Sequence, residues 1–257
     1  MELTVFTGDI IICRMESILL KELEKNDAEA VRTLVYICND ADGTAYDPAL
    51  DGDFFYLIRN EEPEECGVKE SLLAVLSGYR AGATIEGQTV LELEAFVHPA
   101  VRNLGLFTLC LDSLRDDFRD YRCRLIIKAR KDLSGLCPDT EKALSALNAF
   151  HDEDELLMEK QLTRKIRNPG DTLCSRFGEV HFTPYSRDTL YLYGLLVYDR
   201  YLRQGHAREM LEKAEAMPDG SYAKILLQVS SGNHAALHLY QKAGYKTTEK
   251  NCYYLLP

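Results

Sequence analysis

Two loops of the sequence place a glycine directly before a predicted helix. They are VRNLGLF, which contains Gly105, and YLRQGHA, which contains Gly205. Because glycine has no β-carbon, such a loop lets backbone N–H groups and the positive end of the helix dipole approach an anion such as a diphosphate. Neither loop is a GxxxxGK[ST] or a GxGxxG motif, so the sequence disfavours P-loop and Rossmann-type nucleotide binding.

The two loops belong to an internal repeat with an offset of 100 residues. Gly105 aligns with Gly205, and Phe107 aligns with Ala207. Each loop follows an apolar strand pattern and precedes a helix, and each helix is followed by an aliphatic run, CRLIIKA or AKILLQV, that is typical of a buried parallel strand. Another helix and a last strand complete each half. This alternation predicts an α/β (α+β) fold in which each half is a mixed sheet flanked by helices.

The two halves differ in length and charge. We expect the first domain to span residues 1–165 and the second to span residues 166–257. Residues 15–38 predict one or two amphipathic helices, and two strands follow them before the first repeat. Only SRFGEVHFTPYS, which is enough for a β-hairpin, precedes the second repeat, so the second copy is predicted to be shortened at its N-terminus. The formal charge is −13 for the first half and +2 for the second.

Composition excludes several classes of protein. The chain has 257 residues, of which 46% are hydrophobic and 28% charged, as expected for a globular protein rather than a disordered one. A net charge of −11 argues against nucleic-acid binding. No apolar run reaches the roughly 18 residues of a membrane span, and the first residues do not resemble a secretion signal. We therefore expect a cytoplasmic protein without membrane or nucleic-acid partners, whose eight scattered cysteines are buried, reduced thiols.

The repeats resemble the GCN5-related N-acetyltransferase (GNAT) family, in which a strand runs into a [QR]xxGx[GA] loop at the start of a helix. In the first half Arg102 and Gly105 match this motif, but Phe107 occupies the place of a small residue. In the second half the glycine and the small residue match, while Leu202 replaces the Gln or Arg and Arg203 lies beside it. The resemblance covers nearly the whole chain as a tandem of two GNAT-like domains.

This resemblance implies that acetyl-CoA is the co-substrate and that the second half binds most of it. The loop would hold the diphosphate, and a splayed strand would bind the pantetheine arm through backbone hydrogen bonds. Backbone N–H groups of that strand would also polarise the thioester carbonyl. The residues expected to contact acetyl-CoA are Leu195, Val197, Arg203, Gln204, Gly205, His206, Ala207 and Asn233.

The resemblance also implies roles in acetyl transfer. The segment NHAALHLYQKAGY is similar to the NxxAxxxYxKxGF segment of the family, and it places Tyr240 opposite the thioester sulfur as a proton donor for the leaving thiolate. Ser145 lies at the corresponding place of the first half. Glu94, which aligns with Gly194, lies where some family members keep a general base. The side chain of Glu92 is expected on the same face of the strand. By this interpretation neither half alone holds a complete acid and base pair.

Each candidate also has a purely structural interpretation. The two loop glycines could simply open their helices. Tyr240 could pack in a core, and Glu92 and Glu94 could be solvated charges on a half-exposed strand. His234 and His238 are spaced to share a metal, but no third ligand is evident, so we expect no metal site.

The function predicted from the sequence is an N-acetyltransferase in which an amine attacks acetyl-CoA directly. The acceptor would be an amine-bearing small molecule or peptide, bound at or near the boundary between the halves. One alternative is a non-catalytic CoA-binding or interaction module with a degenerate GNAT fold. Another is that the first half is the active one and uses Glu94. The sequence leaves the identity of the acceptor and the oligomeric state open.

Overall fold

The computed structural model describes residues 2–7, 10–60, 68–131, 136–217 and 220–257. The strands in these residues are β1 (Glu2–Thr7), β2 (Ile10–Glu16), β3 (Ile18–Leu20), β4 (Phe54–Arg59), β5 (Leu72–Ala83), β6 (Thr89–Val97), β7 (Cys123–Lys131), β8 (Phe150–Ile166), β9 (Thr172–Ser175), β10 (Gly178–Pro184), β11 (Thr189–Val197), β12 (Tyr222–Ser230) and β13 (Lys246–Leu256). The helices are α1 (Lys25–Asp42), α2 (Leu106–Asp117), α3 (Pro138–Ala146), α4 (His206–Glu215) and α5 (His234–Lys242).

The chain folds into two compact units. Unit 1 comprises Met1–Asp152 and Tyr253–Pro257, and unit 2 comprises Glu153–Cys252. Each unit is a mixed sheet flanked by helices, which confirms the predicted fold class. The domain division near residue 165 stays a prediction.

The sheet of unit 1 is covered on both faces. Its strand order is β3-β4-β5-β6-β7, with β6 and β7 parallel and the other neighbours antiparallel. Alternation along β4 directs Phe55 and Leu57 into the cluster that contains α1, and Tyr56 and Ile58 into the cluster that contains α2. Because both faces are buried, β4 begins with the continuous apolar run FFYLI.

Unit 2 has helices on one face of its sheet. Its strand order is β13-β8-β12-β11-β10-β9, and β11 and β12 are parallel. Leu190 and Leu192 of β11 join α4 and α5 in the core. Tyr191 and Tyr193 alternate with these leucines and lie on the opposite face. In the described part of unit 2 both helices follow β11, so the second copy lacks the N-terminal helix that unit 1 has.

The two units repeat one backbone conformation at the predicted offset. Strands β6 and β11 span equivalent residues, and each continues into a short 3-10 turn, Pro99–Val101 or Asp199–Tyr201. Asn103 and Arg203 both have a φ of 61°. Non-glycine residues seldom adopt a positive φ, so its occurrence at the same place in both units confirms the repeat at the level of the backbone.

The expectation of helix throughout residues 15–38 is wrong for the first part of that segment. β2 continues to Glu16, and Ile18–Leu20 pairs with β4 as an edge strand. Pairing with a neighbouring strand prevails there over the helical spacing of the apolar residues. The helix begins at Lys25. None of the described helices combines the length and the apolar character that a membrane span requires.

The expectation of buried cysteines is wrong for Cys174. This residue is exposed on β9, the last strand of the unit 2 sheet, where one strand edge has no neighbour. The other described cysteines are Cys38, Cys110 and Cys252, which are buried, and Cys123 and Cys137, which are partly buried. All of these are free thiols. Cys66 and the side chain of Cys13 lie outside the described residues.

Gly178 offers a test of the register between β10 and β11. A β-carbon added at Gly178 would overlap the carbonyl oxygen of Leu196, a backbone atom that cannot rotate away. We expect Gly178→Ala to lower the free energy of unfolding by about 1–3 kcal/mol, measured by thermal or urea denaturation. The control is Gly232→Ala, whose β-carbon would meet only Ser230 Oγ at 3.6 Å and should leave the stability nearly unchanged. Equal stability of the two variants would contradict the described register.

Candidate cofactor and catalytic site

Strands β11 and β12 are paired over only part of their length. Parallel pairing joins Thr189–Leu192 to Lys224–Leu227, whereas β11 continues to Val197 and β12 continues to Ser230. Beyond the paired segment, the facing backbone N–H and C=O groups are available to a ligand that lies between the strands. In unit 1, β6 and β7 part in the same way after Leu93.

A β-bulge lies at the point where β11 leaves β12. Between its pairings with Glu179 and His181, β11 carries one residue more than β10. Gly194 lies in this stretch with a φ of 59°, a left-handed conformation that glycine adopts without strain. The side chains of Leu195 and Val197 pack against the unit 2 core, so what these two residues can offer a ligand is their backbone.

The loop before α4 is open. Gly205 has a φ of 87°, and in the part of the chain that the structure describes the position that its β-carbon would take faces open space. Arg203 and Gln204 are exposed, and the Gln204 side chain donates a hydrogen bond to the Arg200 carbonyl at 3.1 Å. Ala207 is small and only partly buried. A phosphate can therefore reach the N-terminus of α4, and the residues present fit a diphosphate.

Aromatic rings and guanidinium groups surround this loop. His206 stacks on Phe177 with ring centroids 3.5 Å apart, and Tyr201 meets Phe177 edge-on at 5.1 Å. Arg176 lies over the Phe177 ring at 4.5 Å, and Arg200 lies over the Tyr201 ring at 4.8 Å. The rings fix the first turn of α4, and the guanidinium groups supply positive charge near the place where a diphosphate would bind.

Asn233 is the N-cap of α5. Its side-chain oxygen accepts a hydrogen bond from the backbone N–H of Ala236 at 3.1 Å. This is a common structural role for asparagine. A contact with the cofactor arm, as the family resemblance implies, would have to come from the amide nitrogen of the same side chain.

Tyr240 is almost fully buried in the unit 2 core, with 6% of its surface exposed. Its ring meets that of Tyr245 edge-on at 5.7 Å. Burial, with a smaller contribution from Tyr191, raises the pKa of Tyr240 to about 12, so the phenol stays protonated at neutral pH. Among the described residues its hydroxyl has no hydrogen-bond partner. Tyr240 is thus suited to donate a proton and unsuited to act as a base.

Unit 1 contains a cavity of about 580 Å³ at the corresponding place in the first repeat. Gly105, Phe107 and Glu94 are among the residues that line it. Glu94 is only 8% exposed, so it is a buried carboxylate rather than a solvated one, whereas Glu92 is partly buried. The catalytic candidates therefore belong to different units, Glu94 to unit 1 and Tyr240 to unit 2.

Arg102, the motif arginine of the first repeat, is bound by carboxylates. Its guanidinium donates to both carboxylate oxygens of Asp42 at 2.7 Å and to Asp139 at 3.2 Å. The hydrogen bonds to Asp42 contribute most to raising the pKa of Arg102 above its ordinary value. Because two carboxylates already neutralise this cation, the first loop offers a diphosphate less positive charge than the second loop does.

Sequence reasoning missed a row of rings on the other face of the unit 2 sheet. His181 stacks on Tyr193 at 5.2 Å, and Tyr193 stacks on Tyr191 at 6.1 Å. The Tyr191 hydroxyl donates to Gln228 at 2.7 Å, and the Gln228 amide donates to Glu155 at 3.1 Å. The available signal was the alternation of Tyr with Leu in TLYLYGLLV, which places the tyrosines away from the core.

The sequence of unit 2 is similar to a known protein family. Residues 172–245 match the model of the Acetyltransferase (GNAT) family. This segment contains the hairpin, the splayed strands, the open loop and both helices of unit 2. No curated protein sequence matches the chain significantly.

Solved structures with similar folds cover nearly the whole chain. A GCN5-related N-acetyltransferase from Sphaerobacter thermophilus is 13% identical, with a TM-score of 0.66 over 94% of this chain and 96% of that one. A tandem GNAT protein from the clavulanic acid biosynthesis pathway is 11% identical, with a TM-score of 0.57 over 93% of this chain and 98% of that one. The glucosamine N-acetyltransferase region of a fungal GH3 β-N-acetylglucosaminidase is 12% identical, with a TM-score of 0.64 over 96% of this chain and 39% of that one.

At these identities the structural likeness establishes the fold alone. Together with the match of residues 172–245 to the GNAT model, it confirms the family resemblance. The chain has the fold of the GCN5-related N-acetyltransferases, and a protein made of two such domains is among its structural neighbours.

We expect Gly205→Glu to abolish or strongly weaken acetyl-CoA binding, measured by titration calorimetry. The new side chain would enter the open space before α4 and oppose the phosphates with a carboxylate, and we expect Kd to rise at least tenfold, or about 1.4 kcal/mol. Gly87→Glu is a matched control because Gly87 has a φ of 78° and open space around it in a turn of unit 1. Unchanged affinity of Gly205→Glu would remove the diphosphate site from this loop.

Proposed function

We propose that this protein is an N-acetyltransferase that transfers the acetyl group of acetyl-CoA to an amine and binds acetyl-CoA in unit 2. The observation that carries the proposal is the parting of β11 from β12 in front of an open, positively surrounded helix N-terminus. Strand edges and loop together provide an amide-binding groove that ends in an anion site. The GNAT match over residues 172–245 supports the same assignment.

Two properties of the loops favour unit 2 over unit 1 as the acetyl-CoA site, namely the charge around the loop and the space beside its glycine. Around the second loop, the guanidinium groups of Arg176 and Arg200 lie over aromatic rings, and Arg203 is exposed. In the first loop, Arg102 is held by Asp42, and a phenylalanine occupies the place of Ala207. The expected contacts of acetyl-CoA are therefore the backbone of Leu195–Val197, residues 203–207 and the amide of Asn233.

The chain's own groups supply the acid chemistry of acetyl transfer. Acetyl-CoA would provide the thioester, whose carbonyl carbon is attacked by the amine nitrogen. Backbone N–H groups at the bulge of β11 would stabilise the developing oxyanion. Tyr240 would protonate the leaving thiolate, since burial keeps its phenol neutral and no described side chain occupies its hydroxyl. Asp, Ser or Cys nucleophiles are not required, because the amine attacks directly.

A second candidate is supported by the cavity of unit 1. Its volume of about 580 Å³ and the buried carboxylate of Glu94 would suit an active first half. A third candidate, a non-catalytic CoA-binding module, has the same fold and lacks turnover. Steady-state turnover with aromatic, aliphatic and sugar amines and with a lysine peptide separates catalysis from binding alone.

We expect Gly105→Glu to leave acetyl-CoA affinity and turnover close to those of the wild type. The first loop already contains Phe107, and its motif arginine is neutralised, so a further side chain there removes no site for acetyl-CoA. Calorimetry and turnover are compared with Gly205→Glu. A loss as large as that of Gly205→Glu, in a variant with an unchanged circular dichroism spectrum, would instead assign the cofactor to unit 1.

We expect Tyr240→Phe to lower kcat by at least about tenfold with little change in acetyl-CoA affinity. The substitution keeps the ring and its packing and removes only the hydroxyl, and general acid catalysis typically contributes 10²- to 10⁴-fold. Tyr36→Phe, at a 71% exposed tyrosine of α1, is the control. The melting temperature must be unchanged for the loss to be chemical. A rate within about threefold of the wild type would mean that Tyr240 packs in the core and does not act as the proton donor.

A further inference from the structure

The bulge of β11 holds a histidine against the strand. The Cδ2 atom of His181 would lie 2.8 Å from a β-carbon at Gly194, so the imidazole occupies the space above this glycine. Gly194 is the repeat partner of Glu94, the buried carboxylate of unit 1. At equivalent places, one unit therefore has a strand carboxylate and the other has an imidazole supplied by the neighbouring strand.

Two contacts fix the orientation of the His181 ring. Its Nδ1 atom is 2.8 Å from Thr172 Oγ1, and its face stacks on Tyr193. When Nδ1–H donates to the threonine hydroxyl, the Nε2 atom carries the free lone pair. Glu179 Oε1 lies 3.8 Å from Nε2.

A substrate can reach this imidazole. The His181 side chain is 28% exposed and Tyr193 is 44% exposed. Both lie beside the segment of β11 whose backbone N–H groups would hold the thioester carbonyl in the proposed function. The Glu155 carboxylate, which the Gln228 amide joins to this row of rings, suits an arriving ammonium group, because carboxylates attract cations.

We propose that His181 is the general base that deprotonates the acceptor amine, and that it completes an acid and base pair with Tyr240 within unit 2. This inference rests on the proposed function. It differs from the sequence-based assignment of the base to Glu94, and it makes the chemistry of unit 2 independent of that residue.

The ammonium of the acceptor gives one proton to His181 Nε2, and the neutral nitrogen then attacks the thioester carbon. The new C–N bond forms, the C–S bond breaks, and the nitrogen loses a second proton to water. The thiolate takes its proton from Tyr240, and the imidazolium returns a proton to the phenolate through solvent. One amide, one free thiol and one released proton result.

Two variants test the inference. His181→Phe keeps a ring to stack on Tyr193 and cover Gly194, and His181→Gln keeps a polar group. With the best acceptor of the amine panel, we expect both to lower kcat/KM for the amine at least about thirtyfold at neutral pH, within the range typical of general base catalysis. Acetyl-CoA affinity by calorimetry should stay unchanged. His238→Gln, at an exposed histidine of α5, is the matched control and should keep the wild-type rate.

The pH profile distinguishes a base from a structural residue. As the pH rises, more of the amine arrives already neutral, so the deficit of the His181 variants should shrink. Among the described residues, the ionisable groups of β9, β10 and β11 on the same face as His181 are Cys174, Glu179, Tyr191 and Tyr193, and both variants retain them. A deficit that is constant with pH, or a rate within threefold of the wild type, would overturn the inference. A wild-type protein that acetylates no amine of the panel would instead overturn the proposed function, and the inference with it.

Discussion

The candidate site depends on backbone N–H and C=O groups of two parallel strands that are not hydrogen-bonded to each other. β11 and β12 pair through Leu192 and Leu227 and then part, although both continue for several residues. Unpaired backbone groups inside a protein are costly, so an edge of this kind is retained where a ligand or water supplies the missing partners. At the point of parting β11 carries one extra residue, and Gly194 takes a left-handed conformation there. The open loop, the rings around it and the histidine over the glycine are arranged around this gap.

The same backbone serves two different electrostatic environments. In both repeats the loop has positive φ at equivalent positions, yet Arg102 is bound by Asp42 and Asp139 while the cations around the second loop lie over aromatic rings. Stacking on a ring leaves a guanidinium able to form further hydrogen bonds, whereas Arg102 already donates to Asp42, to Asp139 and to the Val97 carbonyl. The formal charges of the two halves, −13 for the first and +2 for the second, have the same sense as this contrast, because the more acidic half contains the neutralised arginine.

The repeat, the strand and helix order and the hairpin of unit 2 could be predicted from the sequence, because each has a local signal. Gly105 and Gly205 fall in register, and TLYLYGLLV alternates as a strand facing one core. The location of His181 could not be predicted in this way. Its role depends on the β10 register and on an extra residue in β11, neither of which leaves a local pattern. The ion pair of Arg102 with Asp42 joins residues 60 positions apart and was invisible for the same reason.

The contact between His181 and Gly194 makes the two repeats non-interchangeable. A segment exchange that brought the β6 sequence into the place of β11 would put a glutamate under the imidazole, where even a β-carbon would lie only 2.8 Å from His181 Cδ2. The reverse exchange would leave the buried position of Glu94 without a side chain. Changes at the two residues are therefore coupled: a side chain at position 194 requires the His181 ring to move away or to become smaller. The two repeats share one architecture, but this single contact ties β11 to its own neighbour, β10.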